Sequence, residues 1–206
     1  TFPINQINIG GLCTRATRYI FKLNSGWPGG GQQGTILAMS AFGEPKYKSD
    51  FLNMFTHDLI QASAKPFNQP KGDYCIENEV IHPYLNKWAQ LAQQNEQTKF
   101  DLAASLQSAT EDIIEQIIEH SISRVPKVKT ICFSGGVALN CVALGKMINK
   151  FPEFENNFYV PPTPSDHGLV LGACQYVWHQ TLHKEKIIWK SNFTPYLGKK
   201  YSQINI

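Results

Sequence analysis

Two short segments in the second half of the sequence carry the residues best suited to chemistry. Residues 134–140 read Ser-Gly-Gly-Val-Ala-Leu-Asn, and residues 164–168 read Pro-Ser-Asp-His-Gly. Paired glycines before a helix let the backbone approach a ligand, and the free N–H groups at a helix start favour a phosphate or the edge of a nucleoside. An aspartate beside a histidine offers ligands to a divalent cation. The two segments therefore point to nucleotide and metal chemistry.

Each segment also has a purely structural interpretation. Ser134 is a good helix N-cap, the glycines after it suit a tight turn, and Asn140 would then face solvent. Ser165 or Asp166 would cap the following helix in the same way, which is the commoner role for such residues. For the glycine segment, the residue types alone favour the structural interpretation over ligand binding.

The elements that must position these segments belong to an α/β fold. Apolar residues at three- and four-residue spacing predict an amphipathic helix over residues 100–125, ended by Pro126. Strands and helices then alternate at residues 129–133, 137–149, 157–160 and 169–180. This order is typical of parallel βαβ units, in which ligands bind at the carboxyl ends of the strands.

The first half of the chain gives weaker signals. Residues 26–34 contain five glycines and spell G-x-G-x-x-G, but no strand precedes them, so we predict a loop rather than a dinucleotide site. Residues 35–42 predict a packed helix or strand. Residues 44–98 predict irregular connections and short elements.

The composition excludes several classes of protein. The 206 residues are 42% hydrophobic and 17% charged, which indicates a folded and not a disordered chain. No apolar run approaches the roughly 20 residues of a membrane span, so we expect a soluble protein without a membrane partner. The net charge of +3, without any basic block, disfavours nucleic acid as a partner.

The cysteines and two late histidines are read as non-catalytic. The five cysteines are odd in number and widely spaced among apolar neighbours, which predicts buried free thiols in a reducing cytoplasm. His179 and His183 have the spacing of a helical metal pair. They lie far from the strand ends, and we expect them to be surface residues.

Four blocks, in order, make the sequence resemble a known family. Residues 132–143 resemble the "GGVALNCVANG" block of the NodU/CmcH-type O-carbamoyltransferases, and residues 161–173 resemble its "PPxxGDxGLALGAA" block. Residues 101–107 are similar to the helix "DIAASLQ", and residues 195–202 to the connector "YLGPxYS". The resemblance covers most of the chain from about Leu12 onward.

The resemblance implies an actin-like ATPase (ASKHA) fold of the Kae1-like type. It implies transfer of a carbamoyl group from carbamoyl adenylate, made from carbamoyl phosphate and ATP, to a hydroxyl of a sugar or secondary metabolite. It assigns Asp166 to a divalent metal, with iron as the implied ion, acting as a Lewis acid on the carbamoyl group. The nucleotide-binding residues that it implies are Ser134, Gly135, Gly136, Val137 and Asn140.

The resemblance also implies more protein than these 206 residues. Residues 1–190 correspond to the second half of a Kae1-like domain, and residues 191–206 to a connector toward a YrdC-like domain. The sequence has no initiator methionine and no leader peptide, so we expect an internal fragment that is inactive alone.

One segment departs from the family pattern. Where the family usually has "EGKxMGLAxYG", this chain has Gln33 in place of the glutamate and Thr35 in place of the lysine. The loss of two charges keeps a non-catalytic nucleotide-binding or interaction module open as an alternative. A tRNA threonylcarbamoyl transferase-like protein is disfavoured, because the chain has the GGVALNC block and lacks a basic stripe.

Overall fold

A computed structural model describes residues 9–23, 32–56 and 83–186 of the chain. The chain divides into two compact units. The first comprises residues 1–129 and 140–157, and the second comprises residues 130–139 and 158–206. Each unit is described separately below.

The described part of the first unit is helical. Its six α-helices are α1 (Ile9–Arg15), α2 (Gln33–Ser40), α3 (Lys48–Thr56), α4 (Pro83–Gln94), α5 (Glu96–Arg124) and α6 (Cys141–Lys150). A π-helical turn, Ala16–Ile20, extends α1, and a 3-10 helix, Pro152–Asn157, follows α6. Helices α2, α3, α4 and α6 all pack against α5, which is therefore the centre of this unit.

Helix α5 confirms the predicted amphipathic helix. The Asn95 side chain accepts hydrogen bonds from the backbone N–H groups of Gln97 and Thr98, at 2.7 and 3.4 Å, and so caps the amino end. The other end lies just before Pro126, which cannot continue a helix. The predicted apolar positions that are buried are Leu102, Leu106, Ala109, Ile113, Ile114 and Ile118.

Two aromatic rings join α3 and α4 beside this core. Phe51 on α3 stacks on Trp88 of α4, with 4.5 Å between the ring centroids. Both side chains are buried. The described parts of residues 44–98 thus hold two well-packed helices, and residues 57–82 lie outside the described residues.

The second unit contains the predicted parallel strand pair. Strand β1 (Ile131–Cys132) pairs with β2 (Phe158–Tyr159), with Ile131 opposite Phe158 and Cys132 opposite Tyr159. Helix α7 (Gly168–Tyr176) follows and continues as a π-helical turn, Val177–Thr181. The α/β class is confirmed, in a chain whose described part is mostly helical.

The helix predicted over residues 137–149 is interrupted. A 3-10 turn, Gly136–Leu139, comes first, and α6 begins only after Asn140. The Asn140 backbone leaves the helical region, at φ −76° and ψ 80°, and its side chain caps α6. Apolar spacing cannot reveal such a break, because the residues on both sides of it are apolar.

Other predictions for the first half are confirmed in part. Helix α2 matches the packed element predicted over residues 35–42. Most of the predicted glycine loop lies outside the described residues, since residues 24–31 are not described. No helix within the described ranges is both long and apolar enough to cross a membrane.

The prediction of buried thiols is wrong for three of the four described cysteines, and the fourth, Cys13, is half-buried. The described cysteines Cys13, Cys132, Cys141 and Cys174 all carry free thiols, and all except Cys13 are exposed. Apolar sequence neighbours do not bury a side chain on the outer side of a two-stranded sheet or helix. Burial raises the pKa of Cys13 to about 11, although a hydrogen bond with the Thr110 side chain opposes this rise. Cys75 lies outside the described residues.

Candidate functional site

The loops that leave β1 and β2 meet within the second unit. We call residues 134–136 the glycine turn and residues 164–168 the aspartate turn. The backbone N–H of Gly135 donates to the carbonyl of Pro164 at 2.6 Å, and the Ser134 hydroxyl donates to the same oxygen at 3.3 Å. The structure thus joins the two predicted segments at the carboxyl ends of two parallel strands, where α/β proteins bind ligands.

The glycine turn exposes its backbone. Gly135 has φ +97°, which only glycine adopts without strain, and a Cβ at Gly135 or Gly136 would meet no atom within 4 Å. The space in front of both residues is open, so a ligand can reach the main chain there. Val137, in the 3-10 turn that begins at Gly136, is half-buried.

Ser134 and Asn140 do not have the structural roles that their residue types predict. The Ser134 hydroxyl bonds to Pro164 instead of capping a helix. Asn140, in the first unit, is the residue that caps α6, because its side-chain oxygen accepts from the N–H of Ala143 at 3.0 Å. The expectation that Asn140 faces solvent is therefore wrong.

Asn140 also belongs to a polar group inside the first unit, which we call the amide cluster: Gln107, Glu111, Asn140 and Lys146. Gln107 and Asn140 exchange two amide hydrogen bonds, of 2.9 and 3.2 Å. Gln107 donates further to Glu111 at 2.8 Å, and Lys146 donates to the other Glu111 oxygen at 2.7 Å. The Gln107 and Glu111 side chains are buried between α5 and α6.

Sequence reasoning did not assign a role to Gln107, Glu111 or Lys146. A signal was present, because Gln107 and Glu111 are four residues apart on the apolar face of a helix, where unpaired polar groups are costly. Their partners Asn140 and Lys146 lie more than 30 residues further along the chain, and no spacing rule points to them.

Asp166 presents a free carboxylate. Neither it nor Ser165 caps α7: His167 occupies the cap position, with helical backbone angles and no side-chain cap bond. The capping interpretation of this segment is therefore wrong. The Asp166 side chain is exposed and has no hydrogen bond or ion pair with any residue that the structure describes. Gly168 is required in this turn, because a Cβ there would lie 2.3 Å from the Thr163 carbonyl oxygen.

The described residues do not complete a metal site. A carboxylate such as Asp166 is a ligand that divalent cations accept, but a protein site needs several ligands. Within residues 9–23, 32–56 and 83–186, no three His, Cys, Asp or Glu side chains gather around one point. His179 lies beside the Lys184 carbonyl, at 3.1 Å from Nδ1, and His183 is exposed beyond the end of the helix, which confirms their surface position.

The segment that departs from the family pattern forms α2 and the turn after it. The Gln33 side chain donates to the Thr14 hydroxyl at 3.3 Å, and Thr35 is exposed. Gly43 then lies directly against α5, where a Cβ would be 2.1 Å from the Phe100 carbonyl oxygen. The position therefore accepts only glycine.

Asp101 holds the chain after Gly43 onto α5. Its carboxylate accepts from the N–H of Glu44 at 2.9 Å, from Lys46 at 2.7 Å and from Gln97 at 3.0 Å. Burial alone would raise the pKa of Asp101, but these hydrogen bonds and the Lys46 charge outweigh it and lower the pKa below its usual range. Asp101 is thus a buried ionised anchor.

Comparison with known proteins identifies a family and several relatives. The family described as "Carbamoyltransferase N-terminus" matches residues 3–175 of the chain. An uncharacterized protein of Synechocystis sp. (sll1178) is 27% identical over 97% of this chain and 32% of its own length. No solved structure matches the chain.

Two further relatives are named as nodulation proteins. The nodulation protein NolNO of Sinorhizobium fredii is 28% identical over 67% of this chain and 19% of its own length. The nodulation protein NolO of Bradyrhizobium diazoefficiens is 26% identical over 69% of this chain and 24% of its own length. The chain thus spans less than a third of the length of these relatives.

The family match covers most of the chain and includes both the glycine turn and the aspartate turn. It therefore includes the two loops that the parallel strands bring together. The chain belongs to the carbamoyltransferase family.

Proposed function

We propose that this chain is part of an O-carbamoyltransferase that transfers a carbamoyl group from carbamoyl adenylate to a hydroxyl of a sugar or secondary metabolite. The observation that carries the proposal is the open glycine turn, which stands at the end of β1 against the aspartate turn in a carbamoyltransferase-family chain. An actin-like ATPase (ASKHA) fold of the Kae1-like type is part of the proposal.

The proposed nucleotide contacts follow from the exposed backbone. The N–H groups of Gly136 and Val137 begin a helical turn and would bind phosphate oxygens. The Gly135 N–H already donates to the Pro164 carbonyl. Gly135 would therefore contribute by leaving space for the ligand and by its backbone conformation. Ser134 and Asn140 complete the proposed nucleotide-binding residues.

The proposed reaction is a nucleophilic substitution at the carbamoyl carbon. The hydroxyl oxygen of the acceptor forms a bond to this carbon, and the bond from the carbon to the phosphate oxygen of AMP breaks. AMP leaves with that electron pair, and the hydroxyl proton is released. Holding the adenylate on the turn beside the acceptor would make the attack effectively intramolecular. No described residue is assigned as the base.

Asp166 is proposed as one ligand of a divalent metal, for which the family resemblance implies iron. Such an ion would polarise the carbamoyl carbonyl as a Lewis acid. The remaining ligands would have to come from outside the described residues, because the described ones supply a single carboxylate here. Apart from Asp166, the described residues would contribute by binding and orienting the adenylate.

The domain arrangement is also a proposal. We place residues 1–190 in the second half of a Kae1-like domain and residues 191–206 in a connector to a YrdC-like domain that would make carbamoyl adenylate from carbamoyl phosphate and ATP. The relatives are more than three times as long as the segments that match this chain, which is long enough to include such further domains. We propose a cytoplasmic location, which is supported by the free thiols of the four described cysteines.

A pair of glycine variants tests the proposed nucleotide site. Gly136→Ala and Gly145→Ala each add a methyl group to open space, so both should fold. Only the first would obstruct a ligand. In calorimetric titrations of the complete gene product with AMP and a stable carbamoyl-adenylate analogue, we expect Gly136→Ala to weaken binding about tenfold or more, equal to about 1.4 kcal/mol. Equal affinities for both variants and the unmodified protein would contradict the site.

A matched pair of carboxylate variants tests Asp166. Glu155 is an exposed acidic residue of the first unit and provides the control. We expect Asp166→Asn to lower the bound metal measured by elemental analysis, while Glu155→Gln leaves it unchanged. Unchanged metal content in both variants would remove Asp166 from the ligand set.

One observation favours a non-catalytic module as a second candidate function. Gln33 and Thr35 are uncharged where the family usually has Glu and Lys, and the Gln33 amide is engaged with Thr14. A module of this kind would bind nucleotide without turnover. The double variant Gln33→Glu, Thr35→Lys restores the two charges. If the chain is such a module, this variant should bind nucleotide as the unmodified protein does and should still show no carbamoyl transfer.

A further inference from the structure

The two faces of the sheet in the second unit differ. On one face, the rings of Phe133 and Phe158 stack with 5.1 Å between their centroids, and both side chains are half-buried. Cys132 and Tyr159 are partners in the strand pairing, so they share the opposite face, because side chains alternate along a strand. Cys132 is exposed and Tyr159 is 53% exposed. This second face is open, although strands of a parallel sheet are normally covered on both faces.

Tyr159 presents a free aromatic ring on this open face. No residue that the structure describes makes a hydrogen bond or a ring contact with its side chain. A single exposed apolar side chain is ordinary on a protein surface and needs no ligand to explain it. The position of Tyr159 next to the glycine turn is what gives this ring a possible function.

Tyr159 is the residue of β2 that lies nearest to the glycine turn. Its carbonyl accepts from the N–H of Phe133 at 2.9 Å, and Ser134, the first residue of the turn, follows Phe133 directly. Gly136 is three residues beyond Phe133, so their Cα atoms are at most about 11 Å apart. This is the scale of a single nucleotide. A ligand with its phosphate on the turn could therefore extend to the Tyr159 ring.

We propose that the base of the bound nucleotide stacks on Tyr159 while its phosphate binds the N–H groups of Gly136 and Val137. This inference rests on the proposed nucleotide function and adds the surface that recognises the base. All three residues belong to the second unit. Stacking of a base on an aromatic ring tolerates every base. The site therefore favours a nucleotide over a ribose phosphate without choosing among bases.

Calorimetric titrations of the complete gene product with AMP and with ribose 5-phosphate separate the base from the phosphate. Both ligands carry the same phosphate on the same sugar, and only AMP carries a base. We expect the unmodified protein to bind AMP about tenfold or more tightly than ribose 5-phosphate. Tyr159→Thr removes the ring and keeps a β-branched residue that suits a strand. This variant should lose the preference for AMP and keep its affinity for ribose 5-phosphate. Equal losses for both ligands would overturn the proposal.

Two further variants control for the hydroxyl and for surface tyrosines in general. Tyr159→Phe keeps the ring without the hydroxyl and should bind AMP nearly as tightly as the unmodified protein. Tyr176 on α7 is 67% exposed and belongs to the same unit, so Tyr176→Thr is the matched control and should leave both affinities unchanged. If Tyr159→Phe lost as much AMP affinity as Tyr159→Thr, the hydroxyl and not the ring would bind the ligand, and stacking would be overturned.

Failure of this inference and failure of the proposed function give different results. If the unmodified protein binds neither AMP nor ribose 5-phosphate, the phosphate site on the glycine turn fails, and the stacking inference fails with it. If it binds both ligands equally tightly, the phosphate site stands and the stacking inference alone is overturned.

Discussion

Helices α5 and α7 differ in a way that their sequences do not suggest. Thirteen residues of α5 are buried, although this helix carries several charged residues. None of the residues of α7 is buried, although the helix has no charged residue at all. Leu169 and Val170 on α7 are 71% and 72% exposed. Burial is therefore decided by the neighbours that pack on a helix, and α5 has four helices around it.

The same contrast holds for polar groups. Asp101, Gln107 and Glu111 on α5 are buried, and each has hydrogen-bond partners from another segment. The polar groups at the strand ends of the second unit, such as the Asp166 carboxylate, are exposed. The polar residues of the α5 region thus hold segments in place, and those at the strand ends of the second unit face solvent.

Truncation of one apolar side chain in each helix should show the largest contrast. Ile113 on α5 is 1% exposed and Leu169 on α7 is 71% exposed. We expect Ile113→Ala to lower the free energy of unfolding by about 2–5 kcal/mol. Leu169→Ala should change it by no more than about 0.5 kcal/mol. Urea denaturation of the 206-residue chain measures both, and equal losses would contradict the contrast.

A methyl group on a glycine of each region should give the next largest contrast. Gly43→Ala would place its Cβ 2.1 Å from a backbone oxygen of α5 and should destabilise by about 1–3 kcal/mol or more. Gly172→Ala on α7 meets open space and should stabilise by about 0.4–1 kcal/mol, through a lower chain entropy of the unfolded state. Thermal unfolding distinguishes them, and a loss in both variants would show that α7 is also closely packed.

Removal of one charge in each region should have a smaller and pH-dependent effect. Because the pKa of Asp101 is lowered in the folded state, the stability that its ionised form contributes is complete above the unfolded pKa of about 3.9. This stability is lost as the pH falls through the folded-state pKa. We expect Asp101→Asn to cost about 1–3 kcal/mol at pH 7 and progressively less in acid.

The control for this charge is Asp166, whose carboxylate has no partner among the described residues. Asp166→Asn should leave the free energy of unfolding at pH 7 within about 0.5 kcal/mol of that of the unmodified protein. If the loss of unfolding free energy caused by Asp101→Asn did not become smaller in acid, the anchor would depend on the shape of the side chain and not on its charge.

Thiol reactivity compares the regions without changing stability. Cys13 is half-buried and desolvation raises its pKa to about 11, whereas Cys132 and Cys174 in the second unit are exposed. The thiolate is the reactive form, so at pH 8 iodoacetamide should modify Cys13 more than about tenfold more slowly. Peptide mapping by mass spectrometry reads each site separately. Similar rates would show that the α5 region opens easily.

Local patterns predicted much of the fold. The apolar repeat of α5, its stop before Pro126 and the two short parallel strands all follow from residue spacing and turn chemistry. The break at Asn140 was missed, because the cap depends on a single amide inside an apolar stretch. The exposure of α7 was also missed, because burial depends on contacts that no local pattern encodes.

The candidate site was predicted to a similar degree. Strand order predicted that both loops lie at the carboxyl ends of a parallel pair, and the bond between Gly135 and Pro164 joins them. The amide cluster could not be predicted, because Gln107 and Asn140 are 33 residues apart and meet only after α5 and α6 pack. The metal assignment of Asp166 and the nucleotide contacts stay predictions.

Carbamoyl transfer itself is the most direct test of the central claim. The complete gene product would be incubated with ATP, radiolabelled carbamoyl phosphate and a small-molecule extract as the pool of hydroxyl acceptors, with Gly136→Ala and Gly145→Ala in parallel. We expect ATP-dependent appearance of label in an acid-stable product, together with AMP. Gly145→Ala should retain this activity and Gly136→Ala should lose most of it. Nucleotide binding without any labelled product would contradict a transferase and favour the non-catalytic module.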